Sequence, residues 1–239
     1  MSGGANTGTL ARRVVAEGIG TALLLAAVVG SGIMGERLAG GNVAIALLAN
    51  TIATGAALAA LILTFGPISG AHFNPAVTIA DAWQHGIAWR DAPAYIATQV
   101  IGGLAGVAAA HLMFGLPLFF ASRHVRAGAA QVFSEFVASF GLLSVIWGCV
   151  RFRLSVVPFA VAAYITAAYW FTASTSFANP AVTLARSFSD TFAGIRPIDA
   201  PAFIAAQFAG AFVATALFRW LVPSLSKEAD SVVVPHEEE

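Results

Sequence analysis

Long apolar stretches alternate with short polar connections along the whole 239-residue chain. They cover about residues 11–35, 43–65, 91–115, 130–150, 156–173 and 200–222. Because about 20 apolar residues cross the hydrocarbon core of a bilayer, each stretch predicts a transmembrane helix. The first run, behind Arg12 and Arg13, is too long for the core of a secretory signal and counts as a span. After spans two and five come two further segments, 66–83 and 174–189, and each contains the pentapeptide Asn-Pro-Ala-Val-Thr, at Asn74–Thr78 and at Asn179–Thr183.

Asn followed by Pro reads as a helix start. The Asn oxygen can cap the free N–H groups of the first turn, and Pro at the first helical position has no N–H to satisfy. Capping uses the oxygen alone, so the side-chain NH2 of Asn74 and of Asn179 remains a donor. From each Asn the helical stretch runs ten residues, to Trp83 and to Phe188, about 15 Å or half a bilayer. The residues before the caps, 69–73 and 175–178, must be irregular, and irregular backbone survives at membrane depth only where protein or a wet cavity covers it.

The repeat extends beyond the pentapeptide. A lone Glu17 near the start of span one answers Glu135 in span four, and Gln99 in span three answers Gln207 in span six. Each half therefore reads span, span, motif, span, about residues 11–115 and 130–222, between an N-terminal tail of residues 1–10 and a C-terminal tail of 223–239. Three spans per half place the halves in opposite senses across the membrane. The expected fold is an all-α membrane protein, with six transmembrane helices and two re-entrant half-helices in an inverted repeat whose half-helix N-termini meet near the midplane.

Composition agrees and narrows the function. The chain is 58% hydrophobic and 10% charged, with no net charge, which leaves no electrostatic case for nucleic acid. A single cysteine, Cys149, excludes an internal disulfide and a cysteine metal site. His72 has no second ligand at a useful spacing, and the Ser and Thr hydroxyls near the second motif have no paired base along the sequence. No enzyme, metal or other cofactor is expected. Glycines such as Gly18, Gly102, Gly106 and Gly210 fit close helix crossings in lipid. Of the 12 basic residues, seven fall on the side of Arg12 and Arg13 and five opposite, which favours both termini in the cytoplasm.

With two Asn-Pro-Ala half-helices in inverted halves, the chain resembles the aquaporin and aquaglyceroporin family, the major intrinsic proteins, over about residues 11–222. The resemblance implies a homotetramer in the lipid bilayer with one pore per subunit. Asn74 and Asn179 are then pore donors, and the backbone of Gly70, Ala71, His72, Thr175 and Phe177 lines the path. Glu17 and Glu135 anchor the motif loops beside Gln99 and Gln207. The filter falls on Thr54, Ala167, Ser176 and Val182, with Ala168, Tyr164 or Trp170 entering if the span-five register shifts. Family members usually carry Arg where this chain has Val182, so the filter is expected to be wide and without arginine or a ring aromatic. Arg186, seven residues after Asn179, reads as a charge at the outer mouth or as a side chain snorkelling at a helix end.

Val182 and the stretch 168–179 resemble the aquaglyceroporins of bacterial arsenic-resistance operons. This implies a bacterial inner-membrane channel for arsenous acid, with methylated arsenicals, glycerol and water as further solutes. The alternatives are a general water and glycerol facilitator, a proton-coupled transporter using Glu17 or Glu135, and a non-conducting structural protein.

Overall fold

The structure, a computed structural model, describes residues 9–222. Nearly all of both expected tails lies outside the described residues. Eight α-helices follow in order: α1 Leu10–Leu38, α2 Val43–Ser69, α3 Pro75–Trp83, α4 Ala92–Met113, α5 Ala129–Phe152, α6 Val157–Phe171, α7 Pro180–Arg186 and α8 Ala200–Leu221, with a 3-10 turn at Leu154–Val156 leading into α6. Six are long and apolar enough to cross a membrane, and α3 and α7 are the two short helices at the pentapeptides. No strand occurs among the described residues.

The local signals act as the sequence suggests. Asn42 caps α2 by accepting from the N–H groups of Ala44 and Ile45, at 3.1 and 3.2 Å. α4 and α8 open on the same tetrapeptide, Asp-Ala-Pro-Ala, which places Pro in the first turn of each. Two boundaries differ from expectation. α2 continues through Pro67 to Ser69, where Gly70 stops it with φ 86°, a left-handed conformation that costs glycine little. The second half-helix has seven residues against nine in the first. It stops at Arg186 because the chain turns back there, with Ser189 Oγ in a 2.8 Å hydrogen bond to His111.

Packing repeats between the halves. α1 lies along α4, and α5 along α8. Gly102 sits against the Gly18 carbonyl, Gly106 against the Ala22 carbonyl and Gly210 against the Phe136 carbonyl, so close that a Cβ at any of the three would collide with backbone. Each half-helix also packs against the last long helix of the other half, α3 on α8 and α7 on α4, and α2 on α6 completes the join. Large apolar side chains such as Ile52, Ile101, Phe133, Phe159 and Phe212 point outward, as a lipid-facing surface requires.

Candidate functional site

The two pentapeptides meet at the join between the halves. Asn74 Oδ1 caps α3 through the Ala76 N–H at 2.9 Å, and Asn179 Oδ1 caps α7 through Ala181 and Val182 at 3.0 and 3.2 Å. The side-chain NH2 groups then cross over. Asn74 Nδ2 donates to the Ala178 carbonyl at 2.8 Å, and Asn179 Nδ2 donates to the Phe73 carbonyl at 2.7 Å. Each amide therefore uses one N–H to tie its loop to the other and keeps the second. This reciprocal lock brings the two half-helix N-termini together.

The loops that lead to the caps hold an unusual backbone. Ala71, Phe73, Ser176 and Ala178 all have φ near +50°, and they stand three and one residues before each Asn. Such conformations cost on the order of 1 kcal/mol or more each and persist only where surroundings enforce them. Here the enforcing groups are Glu17 at Phe73 and Glu135 at Ala178, with the hydroxyls of Ser69 and Ser174 accepting from the Ala71 and Ser176 N–H groups. Glu17 accepts from the His72 and Phe73 N–H groups at 2.9 and 2.7 Å, from Ser69 Oγ at 2.8 Å and from Gln99 at 2.8 Å. Glu135 accepts from the Phe177 and Ala178 N–H groups at 2.9 and 2.8 Å and from Gln207 at 2.6 Å. Gln99 reaches on to Thr78, and Gln207 to Thr183, so the backbone and glutamine bonds repeat between the halves, and the Ser69 bond belongs to the first half. With their N–H groups held from behind, the carbonyls of Gly70, Ala71 and His72 and of Ser176 and Phe177 receive no hydrogen bond among the described residues.

These loops line an elongated cavity of about 450 Å³. Its polar strip is formed by residues 70–74 and 176–179, and the opposite wall is apolar, with Leu24, Val28, Leu142, Ile146, Val161 and Ile165. Asn74, Val77 and Asp81 of the first motif line it, and so do Asn179, Val182 and Arg186 of the second. The offsets of three and seven residues from each Asn put all three side chains on one helical face.

Of the expected site residues, Asn74, Asn179, Thr54, Ser176, Val182, Gly70, Ala71, His72, Phe177 and Arg186 line the cavity, and Glu17 and Glu135 stand behind the loops. Two expectations are corrected. Ala167 is exposed on the outer face of α6, and Tyr169 takes its place beside the cavity, its hydroxyl 3.2 Å from Thr54 Oγ1. The reason is register: Ile165 and Tyr169 are four residues apart and share the inner face with Val161. Thr175 does not line the cavity, and its hydroxyl lies 3.4 Å from Arg126 Nη1. The wall is thus neither free of aromatic residues nor free of arginine. Arg186 is buried, donates through Nε to the Ala193 carbonyl and lies over the Phe177 ring, 3.4 Å from its centroid.

Arg126 and Asp81 escaped the sequence reading. Arg126, in the loop before α5, holds the second motif loop by donating to the Ser174 carbonyl at 3.0 Å and to the Gly194 carbonyl at 2.8 Å. Its neighbours are distant in sequence and nothing local marks it. Asp81 carried a signal, since it stands seven residues after Asn74 as Arg186 does after Asn179.

The family model for the major intrinsic proteins matches residues 5–153 and 147–238. The chain belongs to the major intrinsic protein family. It is 58% identical over 213 residues to aquaglyceroporin AqpS of Rhizobium meliloti (strain 1021), covering 89% of this chain and 91% of that protein. It is 38% identical over 144 residues to aquaporin NIP3-1 of Zea mays, covering 58% of this chain and 46% of that one. The fold matches the X-ray structure of the aquaglyceroporin from Plasmodium falciparum with a TM-score of 0.72 at 20% identity, over 92% of this chain and all of that one. As a major intrinsic protein with six membrane helices, it is a multi-pass membrane channel and not an enzyme.

Proposed function

We propose that this channel passes small uncharged polyol-like solutes passively, with arsenous acid first among them and glycerol and water beside it. The observation that carries the reading is Val182, an apolar side chain on the cavity wall where the family usually has arginine. A solute would exchange water for the carbonyls of the two motif loops and for the spare N–H of Asn74 and Asn179, one group at a time, while its carbon or arsenic side slides along the apolar wall. No covalent step is involved.

The arsenic assignment, with methylated arsenicals as a further class, rests on Val182 and the stretch 168–179, and is supported by the similarity to a bacterial aquaglyceroporin. A homotetramer in a bacterial inner membrane, with both termini cytoplasmic, goes with the same reading. Glu17 and Glu135 do not line the cavity, and their oxygens are committed to holding the loops. Neither is therefore placed to relay protons along the path.

Stopped-flow light scattering on proteoliposomes tests the proposal, with wild type and Val182→Arg challenged by water, glycerol and, in a separate uptake assay, arsenous acid. Wild type is expected to pass all three. Val182→Arg is expected to keep water and lose about tenfold or more of the larger solutes, a change of ~1.4 kcal/mol in the barrier. Passage of water and glycerol without arsenous acid would reduce the protein to a general facilitator. Passage of water alone would place the size limit at another residue, Tyr169 foremost.

A further inference from the structure

Asp81 and Arg186 occupy the same place in the two halves of the repeat. Each stands seven residues after its motif Asn, each is buried, at 1% and 2% exposure, and each lines the one cavity. Seven residues is two helical turns, so each charge lies on the same helical face as its Asn and about 10 Å from it along the axis. Because the half-helices meet at their N-termini and point apart, the two charges sit on opposite sides of the Asn pair, about 20 Å from one another. Asp81 is on the side where α1 begins and α8 ends, where Arg219 donates to the Trp83 carbonyl and Arg13 pairs with Asp91. Arg186 is on the other side, with Arg126 also over the Phe177 ring.

The surroundings admit both charges into the cavity wall. Gly86 leaves the space that the Asp81 carboxylate fills, since a Cβ there would strike its oxygens, and His72 Nε2 lies 3.6 Å from Asp81 Oδ2. Arg186 donates to a carbonyl and stacks on a ring, and it makes no salt bridge among the described residues.

We propose that Asp81 and Arg186 form a two-ended charge filter, in which Asp81 excludes anions and Arg186 excludes cations. The inference rests on the channel reading above. An ion that enters this cavity has shed part of its water, and a like charge a few Å from its path then lowers its passage by on the order of 10- to 100-fold. Whichever side an ion enters from, it must pass both residues and meets one of its own sign. A neutral solute meets an acceptor at Asp81 and a donor at Arg186, both of which suit a hydroxyl. Ions of both signs are thus rejected without a charge at the Val182 position, which leaves that position free to be wide.

The experiment is planar-bilayer conductance and reversal potential in a gradient of methylammonium nitrate, with glycerol flux measured on the same preparations. Wild type is expected to pass glycerol and conduct no ions above the bare bilayer. Asp81→Asn is expected to open a nitrate-selective leak and Arg186→Gln a methylammonium-selective leak, each at least about tenfold above wild type and opposite in the sign of the reversal potential. Wild type that passes no glycerol ends the polyol reading on which the filter rests. Wild type that passes glycerol, with variants that leak no ions or leak with the same sign, overturns the charge filter alone. If a variant does not assemble, wild type still decides. Methylammonium added on the Asp81 side is expected to slow glycerol flux, and methylammonium added on the Arg186 side is not, so equal or absent block from both sides overturns the proposal.

Discussion

At the scale of single residues, the buried carboxylates are the least expected feature of an apolar chain and the one with the clearest structural cause. Glu17 and Glu135 hold four N–H groups of the motif loops, those of left-handed Phe73 and Ala178 among them, away from the cavity, which leaves the neighbouring carbonyls to face it. Glutamine at either position keeps the shape but sets an NH2 against N–H donors. We expect Glu17→Gln and Glu135→Gln each to lower stability by about 2–4 kcal/mol, the cost of losing charge-assisted hydrogen bonds and stranding buried donors. Thermal unfolding in detergent checks this. A transporter that uses these groups for protons would instead keep its wild-type melting temperature and lose only its flux. The filter shows a different lesson at the same scale: the choice among Ala167, Ala168, Tyr164 and Trp170 is open in the sequence, because α6 is apolar on every face, and the Thr54–Tyr169 contact belongs to a fifth candidate, Tyr169.

At the scale of elements, the inverted halves are held by backbone contact between helices. In lipid there is no hydrophobic gain from bringing two apolar helices together, so close packing has to supply the attraction. Gly102 against Gly18 and Gly210 against Phe136 do this at equivalent crossings, α1 with α4 and α5 with α8. Gly102→Val and Gly210→Val must push a helix pair apart, and each is expected to cost about 1–3 kcal/mol or more. A Cβ added at Gly66, on α2, would meet nothing within 4 Å, so Gly66→Ala is expected to be neutral or to stabilise by up to ~1 kcal/mol. Melting temperatures of the three variants in one detergent test the contrast, which fails if all three fall together.

At the scale of the whole molecule, the loops on the side opposite the start of α1 and the end of α8 form one clasp over the second motif. Arg123 donates to Asp190 from its backbone N–H and its guanidinium, at 2.8 and 2.7 Å, and these bonds hold the Asp190 carboxyl below the usual carboxylate range. Arg196 and the Arg126 N–H do the same for Asp199. Both folded-state values are depressed, so the stability these carboxylates lend is fully present above the ordinary aspartate value of 3.8 and is lost as pH falls through the lower folded values. Hydrogen exchange at the Arg123 and Arg126 amides, corrected for intrinsic rate, is therefore expected to be protected at pH 6 and to lose protection below about pH 4. Protection that persists to pH 2 would show that packing, not charge, holds the clasp.

The spans, the half-helices, their caps and the inverted order of the halves follow from the sequence alone, because each rests on local or periodic information: apolar length, Asn-Pro, and a repeated string. The loop-holding roles of Glu17 and Glu135 are legible only through the family resemblance, since a lone carboxylate in an apolar run reads as readily as a proton-coupling site. Only the tertiary structure decided which face of α6 meets the cavity, that Arg126 clasps the second loop, that each motif Asn ties itself to the other loop, and that Asp81 and Arg186 share one cavity. Those facts depend on which distant helices lie side by side and on how each is rotated about its own axis, and a helix that is apolar all round carries no mark of its rotation.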